Sequence, residues 1–455
     1  MLMAMPLLLH PVVKPPRTRL SALFNTPFFK GSFTYLCGSI LNSLLPLALL
    51  PVLTRHLTKT DYGIMGTATV LTQILAIIIG LNAYGLVARS YFDDDRSNLR
   101  SLLSTSTILS FAVSLGILAV TYVVGKPLEL VTEFPSPWMP ALVFVSLATV
   151  IQTNYLSLIQ VRREALRYIA VQTLGGLSNI LLSLLFVVHY HMDWRGRMWA
   201  LIISQAAVAL FCLRSFVFRL DVLRPIFSGD SCRQLSSFGV PLIPHAIGGW
   251  VMTMSSRIFL NNMASLAATG LYSVAFNLTS PLGMVVGAAN NAFMPTLYEM
   301  LSRKPECDKV RLCSILLVVA LAFPLVAVAG ACVVRWALPL LVDPQFYGAA
   351  DFLIWLALMY AIQGIYCIFG NFVVYSKRTS LMTWRADFLG GAVLLVACPL
   401  LIRLNGPVGA AQGACLGFAA SALGCMTAAR RAYPMPWRQG LASLLGAGRI
   451  EKLAA

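Results

Sequence analysis

Residues 50–80, LPVLTRHLTKTDYGIMGTATVLTQILAIIIG, contain the alternation that decides the fold. A short basic and polar segment is followed by an apolar run, and this rhythm recurs along the whole chain. A helix of about 20 apolar residues, rising ~1.5 Å per residue, crosses the ~30 Å hydrocarbon layer of a bilayer. The pattern therefore predicts an all-α polytopic membrane protein.

The composition supports a membrane protein and argues against several other classes. Apolar residues make up 58% of the chain, charged residues only 11%, and the mean hydropathy is +0.77. The net charge of +17 comes from basic residues spread through the loops, a distribution that predicts contact with anionic membrane lipids and no nucleic-acid partner. The ten cysteines show no CxxC and no ligand spacing with histidine, so neither a metal site nor a cofactor is expected.

Twelve membrane-spanning helices are predicted, in two groups of six. The first group covers 31–53, 64–88, 101–124, 138–160, 168–190 and 198–219, and the second covers 238–260, 268–294, 311–334, 349–372, 381–402 and 407–428. These spans divide the chain into an N-tail, an N-lobe, a linker, a C-lobe and a basic amphipathic C-tail, with bounds 1–30, 31–219, 220–237, 238–428 and 429–455.

The loop charges predict the orientation. If both termini face the cytoplasm, the inner segments hold 26 of the 34 basic residues and the outer loops hold seven. Arg257 falls inside a span. Because cytoplasmic loops carry the excess of lysine and arginine, both termini are predicted to be cytoplasmic.

An internal repeat relates the two groups. A shift of 207 residues brings DYGIMGTATVLTQILAIIIG (61–80) onto ATGLYSVAFNLTSPLGMVVG (268–287). The identical residues are Gly63, Ala68, Leu71, Thr72, Leu75 and Gly80, matched by Gly270, Ala275, Leu278, Thr279, Leu282 and Gly287. Since six helices are an even number, the repeat is parallel and predicts two similar bundles with a substrate site between them.

Three windows resemble a known family. Residues 50–75 and 81–95 (LNAYGLVARSYFDDD) resemble the start of bacterial oligosaccharide flippases, members of the multidrug/oligosaccharidyl-lipid/polysaccharide exporter superfamily. Residues 238–282 resemble the opening of that family's second half. The family often has an acidic residue before the basic residue of span seven, whereas this chain has Ser256 before Arg257.

The resemblance implies an alternating-access flippase in the bacterial inner membrane. Such a protein moves a polyprenyl-pyrophosphate-linked oligosaccharide from the cytoplasmic to the outer leaflet, for O-antigen or exopolysaccharide assembly. A polysaccharide polymerase or another assembly protein is a possible partner. The lipid tail can stay in the bilayer, so the protein need only shelter a pyrophosphate and its sugars, and no covalent chemistry is required.

Arg257 and His245 are the foremost candidates for substrate binding. A guanidinium within a span is costly in lipid, so we expect Arg257 to face a wet cavity or a partner, and its forked donors suit phosphate oxygens. His245 lies twelve residues earlier on the same span and is a candidate for proton coupling. A structural arginine and a neutral, hydrogen-bonded imidazole remain the alternatives.

Other polar residues of the spans are weaker candidates. Arg89 ends span two on the inner side, where phosphate contact and snorkelling to the membrane surface are both open. Amides suited to sugar contacts, or to interhelical hydrogen bonds, are Gln73, Asn82, Asn290 and Asn291. Asp387 lies close to Thr383 and Arg385, and we expect it to be a local charge partner.

Two other functional classes were weighed. No phosphate-binding GxxxxGK[ST] motif is present and no outer loop exceeds about 17 residues, so an enzyme is not expected. A cation-coupled multidrug exporter of the same superfamily is the alternative, because its topology would match. Such exporters generally use carboxylates within the spans, whereas the spans of this chain contain almost none.

Overall fold

A computed structural model describes the chain over residues 27–91, 96–218, 227–302, 306–376 and 386–444. Within these ranges it forms twelve long helices, three short helices and no strand. The long helices are α1 (Pro27–His56), α2 (Lys59–Gly80), α4 (Arg96–Thr132), α5 (Met139–Val161), α6 (Ala165–Ser183), α7 (Trp194–Phe218), α9 (Ile243–Met263), α10 (Leu266–Ser302), α11 (Glu306–Leu341), α12 (Ala350–Tyr375), α13 (Phe388–Asn405) and α14 (Gly409–Ala432). The short helices are α3 (Ala83–Ser90), α8 (Gly229–Gly239) and α15 (Trp437–Leu444).

Each predicted span corresponds to one long helix. Among the described residues, nine segments are long and apolar enough to cross a membrane, and one of them, Phe388–Ala432, contains both α13 and α14. The remaining two spans are α1 and α9. In α1 the segment Leu44–His56 is apolar, and α9 is more polar because it contains Arg257 and two asparagines. The prediction of an all-α multi-pass protein is confirmed.

The structure adds detail at two places, and at the first of them the predicted boundary is wrong. Span two was predicted as one helix over 64–88, but it breaks after Gly80, because Leu81 and Asn82 adopt left-handed conformations with φ of 46° and 51°. The linker predicted at 220–237 contains a helix, α8, whose first turn is capped by the Ser228 hydroxyl. Residues 1–26, 219–226 and 445–455 of the predicted tails and linker lie outside the described residues.

The start of α2 is fixed by its own sequence. The Thr58 hydroxyl accepts a hydrogen bond from the Asp61 amide at 3.2 Å, and the Asp61 carboxylate accepts one from the Thr58 amide at 2.9 Å. This capping box satisfies two amides that a helix end leaves without partners. The capping box therefore fixes where α2 begins, and Gly63 lies in the first turns of this helix.

The two halves meet where α2 crosses α10. A Cβ atom on Gly63 would lie 2.0 Å from the Leu266 carbonyl oxygen, and one on Gly270 would lie 1.9 Å from the Lys59 carbonyl oxygen. The contact is reciprocal, because the 207-residue shift relates Lys59 to Leu266 and Gly63 to Gly270. Small residues let helix backbones approach closely in a membrane. We call this contact the glycine crossing.

Further contacts between the halves occur in twofold-related pairs. Helix α9 packs on α2 and α4, and α1 packs in the matching way on α10 and α11. The Asn261 amide of α9 donates to the Thr132 carbonyl at the end of α4, at 2.8 Å. Thr54 of α1, which the same shift relates to Asn261, accepts from the Asp343 amide just beyond α11, at 3.2 Å. The predicted parallel repeat is therefore a structural twofold.

The crossing predicts that Gly270→Ala destabilises the protein. The added methyl group meets backbone, which cannot move aside as a side chain can, so the free energy of unfolding should fall by about 1–3 kcal/mol. Thermal unfolding of the purified protein in detergent measures this. The control is Gly287→Ala on the same helix, where a Cβ atom meets nothing within 4 Å. Equal melting temperatures for the two variants would contradict the close contact.

Candidate functional site

A cavity of about 430 Å³, lined by apolar and polar side chains, lies between the two halves away from the glycine crossing. The first half contributes Asn82 and Tyr84 to its lining, and the second half contributes His245, Tyr366 and Asp387 among others. A neighbouring cavity of about 250 Å³ shares Asn82 and Tyr84 and extends along α2 and α5. Together they form a hollow lined by both halves of the repeat.

The cavity and the glycine crossing lie at opposite ends of the bundle. The cavity is lined where α2 ends and where α9 begins, whereas the crossing involves the first turn of α2. At ~1.5 Å per residue, Gly63 and Gly80 are about 25 Å apart along α2. The halves thus pack closely at the crossing and enclose a hollow at the other end, beside a second close contact between Gly239 and the Leu81 carbonyl.

An ion pair crosses the cavity wall from α9 to the start of α13. His245 Nδ1 lies 2.6 Å from Asp387 Oδ2, and the Tyr366 hydroxyl of α12 donates to Asp387 Oδ1 at 3.2 Å. The Asp387 side chain is 10% exposed and that of His245 is 49% exposed. The imidazole therefore stands between the carboxylate and the cavity space, where a ligand can reach it.

Asn82 reaches both cavities because of its backbone conformation. Asparagine tolerates the left-handed region better than most residues, and here it follows Leu81 in that region at the break between α2 and α3. Its Nδ2 atom is buried and has no hydrogen-bond partner among the described residues. Buried amides without partners are uncommon, so this donor is suited to a ligand oxygen.

Arg257 is buried behind the crossing instead of lining either cavity. It is 4% exposed, and its guanidinium carbon lies 4.4 Å from the centre of the Phe276 ring and 5.5 Å from that of Tyr272. Nη1 donates to the Met254 sulfur at 2.8 Å, and Nε donates to the Ser273 hydroxyl at 3.4 Å. Its described ring and hydrogen-bond partners include no carboxylate, so cation–π contacts stabilise this charge.

The surroundings of Arg257 connect it to the crossing. Its partner Ser273 lies on α10, and a Cβ atom on Gly66 of α2 would lie 2.4 Å from the Ser273 hydroxyl. Helix α2 therefore covers Ser273, the hydrogen-bond partner of Arg257. The tight packing keeps Arg257 away from both the cavity and the lipid.

The remaining predicted residues do not line the two cavities. Arg89 is exposed at the end of α3, and Gln73 is exposed on α2. The Asn290 side chain accepts a hydrogen bond from the Asn371 amide at 2.7 Å, which ties α10 to α12, and Asn291 is exposed. Of the seven predicted site residues, the larger cavity thus contains His245 and Asn82 in its lining.

Several cavity residues escaped sequence analysis. Asp387 was expected to pair locally, but its described partners are His245 and Tyr366, and Thr383 and Arg385 lie outside the described residues. Tyr84 and Ser421 also line the cavity. Their positions in the sequence do not distinguish them from residues that only pack between helices. The one available signal was Asp387 itself, an acidic residue at the edge of a span with few others.

The chemistry available in the cavity is hydrogen bonding and charge. Over the described ranges no group of three or more histidine, cysteine, aspartate or glutamate residues is placed to hold a metal ion. The imidazole, the amides and the phenols of the lining can bind anionic and hydroxylated groups. The arrangement therefore suits recognition of a polar headgroup.

Two substitutions separate the contributions of the volume and of the charge of Arg257 to stability. We expect Arg257→Ala to lower the free energy of unfolding by about 2–5 kcal/mol through the cavity it creates. Arg257→Met fills most of that volume and removes a buried charge, so stability should be unchanged or higher. Thermal unfolding in detergent compares the two. If Met destabilises as much as Ala, the charge itself stabilises the fold and this interpretation fails.

The sequence of the chain is similar to a known family and to two proteins of one bacterium. The family model described as polysaccharide biosynthesis protein matches residues 28–301. A Haemophilus influenzae protein named Lsg locus putative protein 1 is 22% identical over 372 residues, covering 78% of this chain and 86% of the relative. An uncharacterized membrane protein of the same organism is 27% identical over 279 residues, covering 60% of this chain and 66% of its own length.

Solved structures share the fold at low sequence identity. The lipid II flippase MurJ in an inward closed conformation superposes with a TM-score of 0.71 at 9% identity, covering 90% of each chain. An inward-facing multidrug resistance MATE family transporter of the MOP superfamily gives a TM-score of 0.59 at 15% identity, covering 90% of this chain and 96% of the other. The family match spans more than half of the chain and the fold is that of these solved structures, so the protein belongs to the polysaccharide biosynthesis protein family.

Proposed function

We propose that the protein is an alternating-access flippase for a polyprenyl-pyrophosphate-linked oligosaccharide, serving O-antigen or exopolysaccharide assembly. The observation that carries the proposal is a hollow between two twofold-related halves, with His245, Asp387 and Asn82 in its lining and the glycine crossing at the opposite end. A transporter needs such a site, open to one side at a time. Membership of the polysaccharide biosynthesis family supports a sugar-bearing cargo.

The loop charges support the direction of transport. With both termini in the cytoplasm of a bacterium, the cavity faces the cytoplasmic leaflet, where lipid-linked sugars are made, and the glycine crossing closes the outer side. This arrangement accepts cargo from inside. The lipid tail stays in the bilayer, anionic lipids surround the basic loops, and a polymerase or another assembly protein takes the product outside.

The predicted site residues act in sequence in this proposal. His245 and Asn82 meet the headgroup in the cavity, with Arg89 near its entrance. Arg257 becomes available once α2 and α10 separate at the crossing, because its Ser273 partner packs against Gly66. The exposed amides Gln73 and Asn291 are assigned to sugar contacts, and Asn290 to the contact with α12.

A cation-coupled multidrug exporter is the second candidate, since MATE transporters share the fold. The cavity chemistry favours the flippase. The acidic residue of the described lining, Asp387, is already paired with His245, and the buried cation Arg257 repels positively charged drugs. An anionic headgroup fits these charges better.

Deletion of the gene distinguishes the two candidates. We expect loss of surface polysaccharide, measured by gel electrophoresis of cell-surface extracts, with unchanged sensitivity to cationic drugs. The plasmid-borne gene should restore the polymer. Drug sensitivity with intact polysaccharide would instead support the exporter.

Variants in the complemented strain test the residues. A hydrogen bond to a charged group contributes ~1.5–3 kcal/mol, so His245→Gln and Arg257→Met should each lower polymer output by about tenfold or more. The matched controls are His56→Gln and Arg335→Met, both exposed and outside the cavities. Immunoblots verify equal amounts in the membrane. Normal polymer from either test variant removes that residue from the mechanism.

A further inference from the structure

The ion pair between His245 and Asp387 lies in the cavity wall, and both oxygens of its carboxylate are hydrogen-bonded. Asp387 receives two hydrogen bonds, one to each carboxylate oxygen, from the imidazole at 2.6 Å and from the Tyr366 hydroxyl at 3.2 Å. His245 turns Nδ1 towards the carboxylate, which leaves Nε2 for a ligand in the cavity. The carboxylate is shielded while the imidazole is half exposed.

The cavity contains few other groups that could exchange protons with the pair. Those in the lining are Tyr84 from α3 and Tyr366 and Cys367 from α12, while Cys425 of α14 is buried behind them with its sulfur 3.7 Å from the Tyr366 carbonyl. All are neutral in their ordinary state near pH 7. Among the described lining residues, His245 and Asp387 are those that carry charge, so the empty cavity is close to neutral.

A pyrophosphate diester brings two negative charges into this neutral cavity. Its phosphate oxygens attract the imidazolium, but the Asp387 carboxylate lies on the far side of the same ring and repels them. Protonation of the carboxylate removes the repulsion. The Tyr366 hydroxyl can accommodate the change, since it donates to a carboxylate and accepts from a carboxylic acid.

We propose that His245 and Asp387 form a switch that takes up one proton when an anionic headgroup binds. The empty pair holds one proton between the imidazole and the carboxylate. The loaded pair holds two, one on each residue, with Nε2 donating to phosphate and the acid hydrogen-bonded to Tyr366. The added proton comes from the solvent that fills the cavity. This inference rests on the proposed function and concerns the regulation of the same site.

The switch predicts how affinity depends on pH. Because binding takes up one proton, the affinity for the headgroup should rise by up to tenfold for each unit that the pH falls. The effect belongs to the protein only if the ligand itself does not titrate. A sugar pyrophosphate diester meets this condition, because it has a fixed charge of about −2 between pH 5.5 and 8.5.

Calorimetry on the full chain in phosphatidylcholine nanodiscs tests the proposal. The probe is farnesyl-pyrophosphoryl-N-acetylglucosamine, titrated at pH 5.5 in two buffers of different ionisation enthalpy, which gives the number of protons taken up. We expect about one proton for the wild type, the proton that Asp387 gains when the headgroup binds. Asp387→Asn should take up about none, because a lone imidazole, with an ordinary pKa of about 6.5, is already protonated.

Asp351→Asn is the matched control. Asp351 begins α12 and does not line the cavity, so this variant should behave as the wild type. Wild-type binding without proton uptake, or with the same affinity from pH 5.5 to 8.5, overturns the switch and leaves the flippase proposal intact. The wild-type pH series needs no variant to fold. Absence of probe binding at every pH, with normal polysaccharide in the deletion strain, overturns the flippase proposal itself.

Discussion

The close approach of α2 and α10 is the constraint on which the rest of the structure depends. Inside a bilayer each helix satisfies its own backbone hydrogen bonds, so two bundles can be joined only through side chains or through shape. Here Gly63 and Gly270 let the two backbones approach closely, and side-chain hydrogen bonds such as that of Asn261 to the Thr132 carbonyl add to the joint. That contact places Trp250 of α9 against the Val70 carbonyl of α2 and holds Arg257 behind α10, while the cavity lies between the halves towards the other end.

The fold was largely predictable because the bilayer imposes it. Apolar runs of fixed length predicted the twelve helices, and six matching residues predicted the repeat that the crossing then revealed as a twofold. The break at Leu81 and Asn82 was not predicted, because Gly80 and Asn82 lie within an otherwise apolar run long enough to be read as one span. Local backbone conformation there is set by the packing of α3, which the pattern does not encode.

The sequence predicted some of the residues of the candidate site, but it did not predict which residues contact each other. His245 stood out as a histidine within a span, but Asp387 follows it by 142 positions, and only packing brings the two helices together. Arg257 stood out for the same reason. Its aromatic partners, Tyr272 and Phe276, are spaced as neighbours on one helix face, yet the sequence does not tell which way that face turns.

The twofold also shows what the halves do not share. The register that superimposes the glycines relates Arg257 to Leu50 and His245 to Gly38, so the first half retains the joint but none of this chemistry. If the chain arose by tandem duplication of a six-helix ancestor, a single ancestral glycine supplied both sides of the joint at once. His245 and Arg257 then arose in one copy after the duplication, so the polar groups differ between the halves although the joint does not.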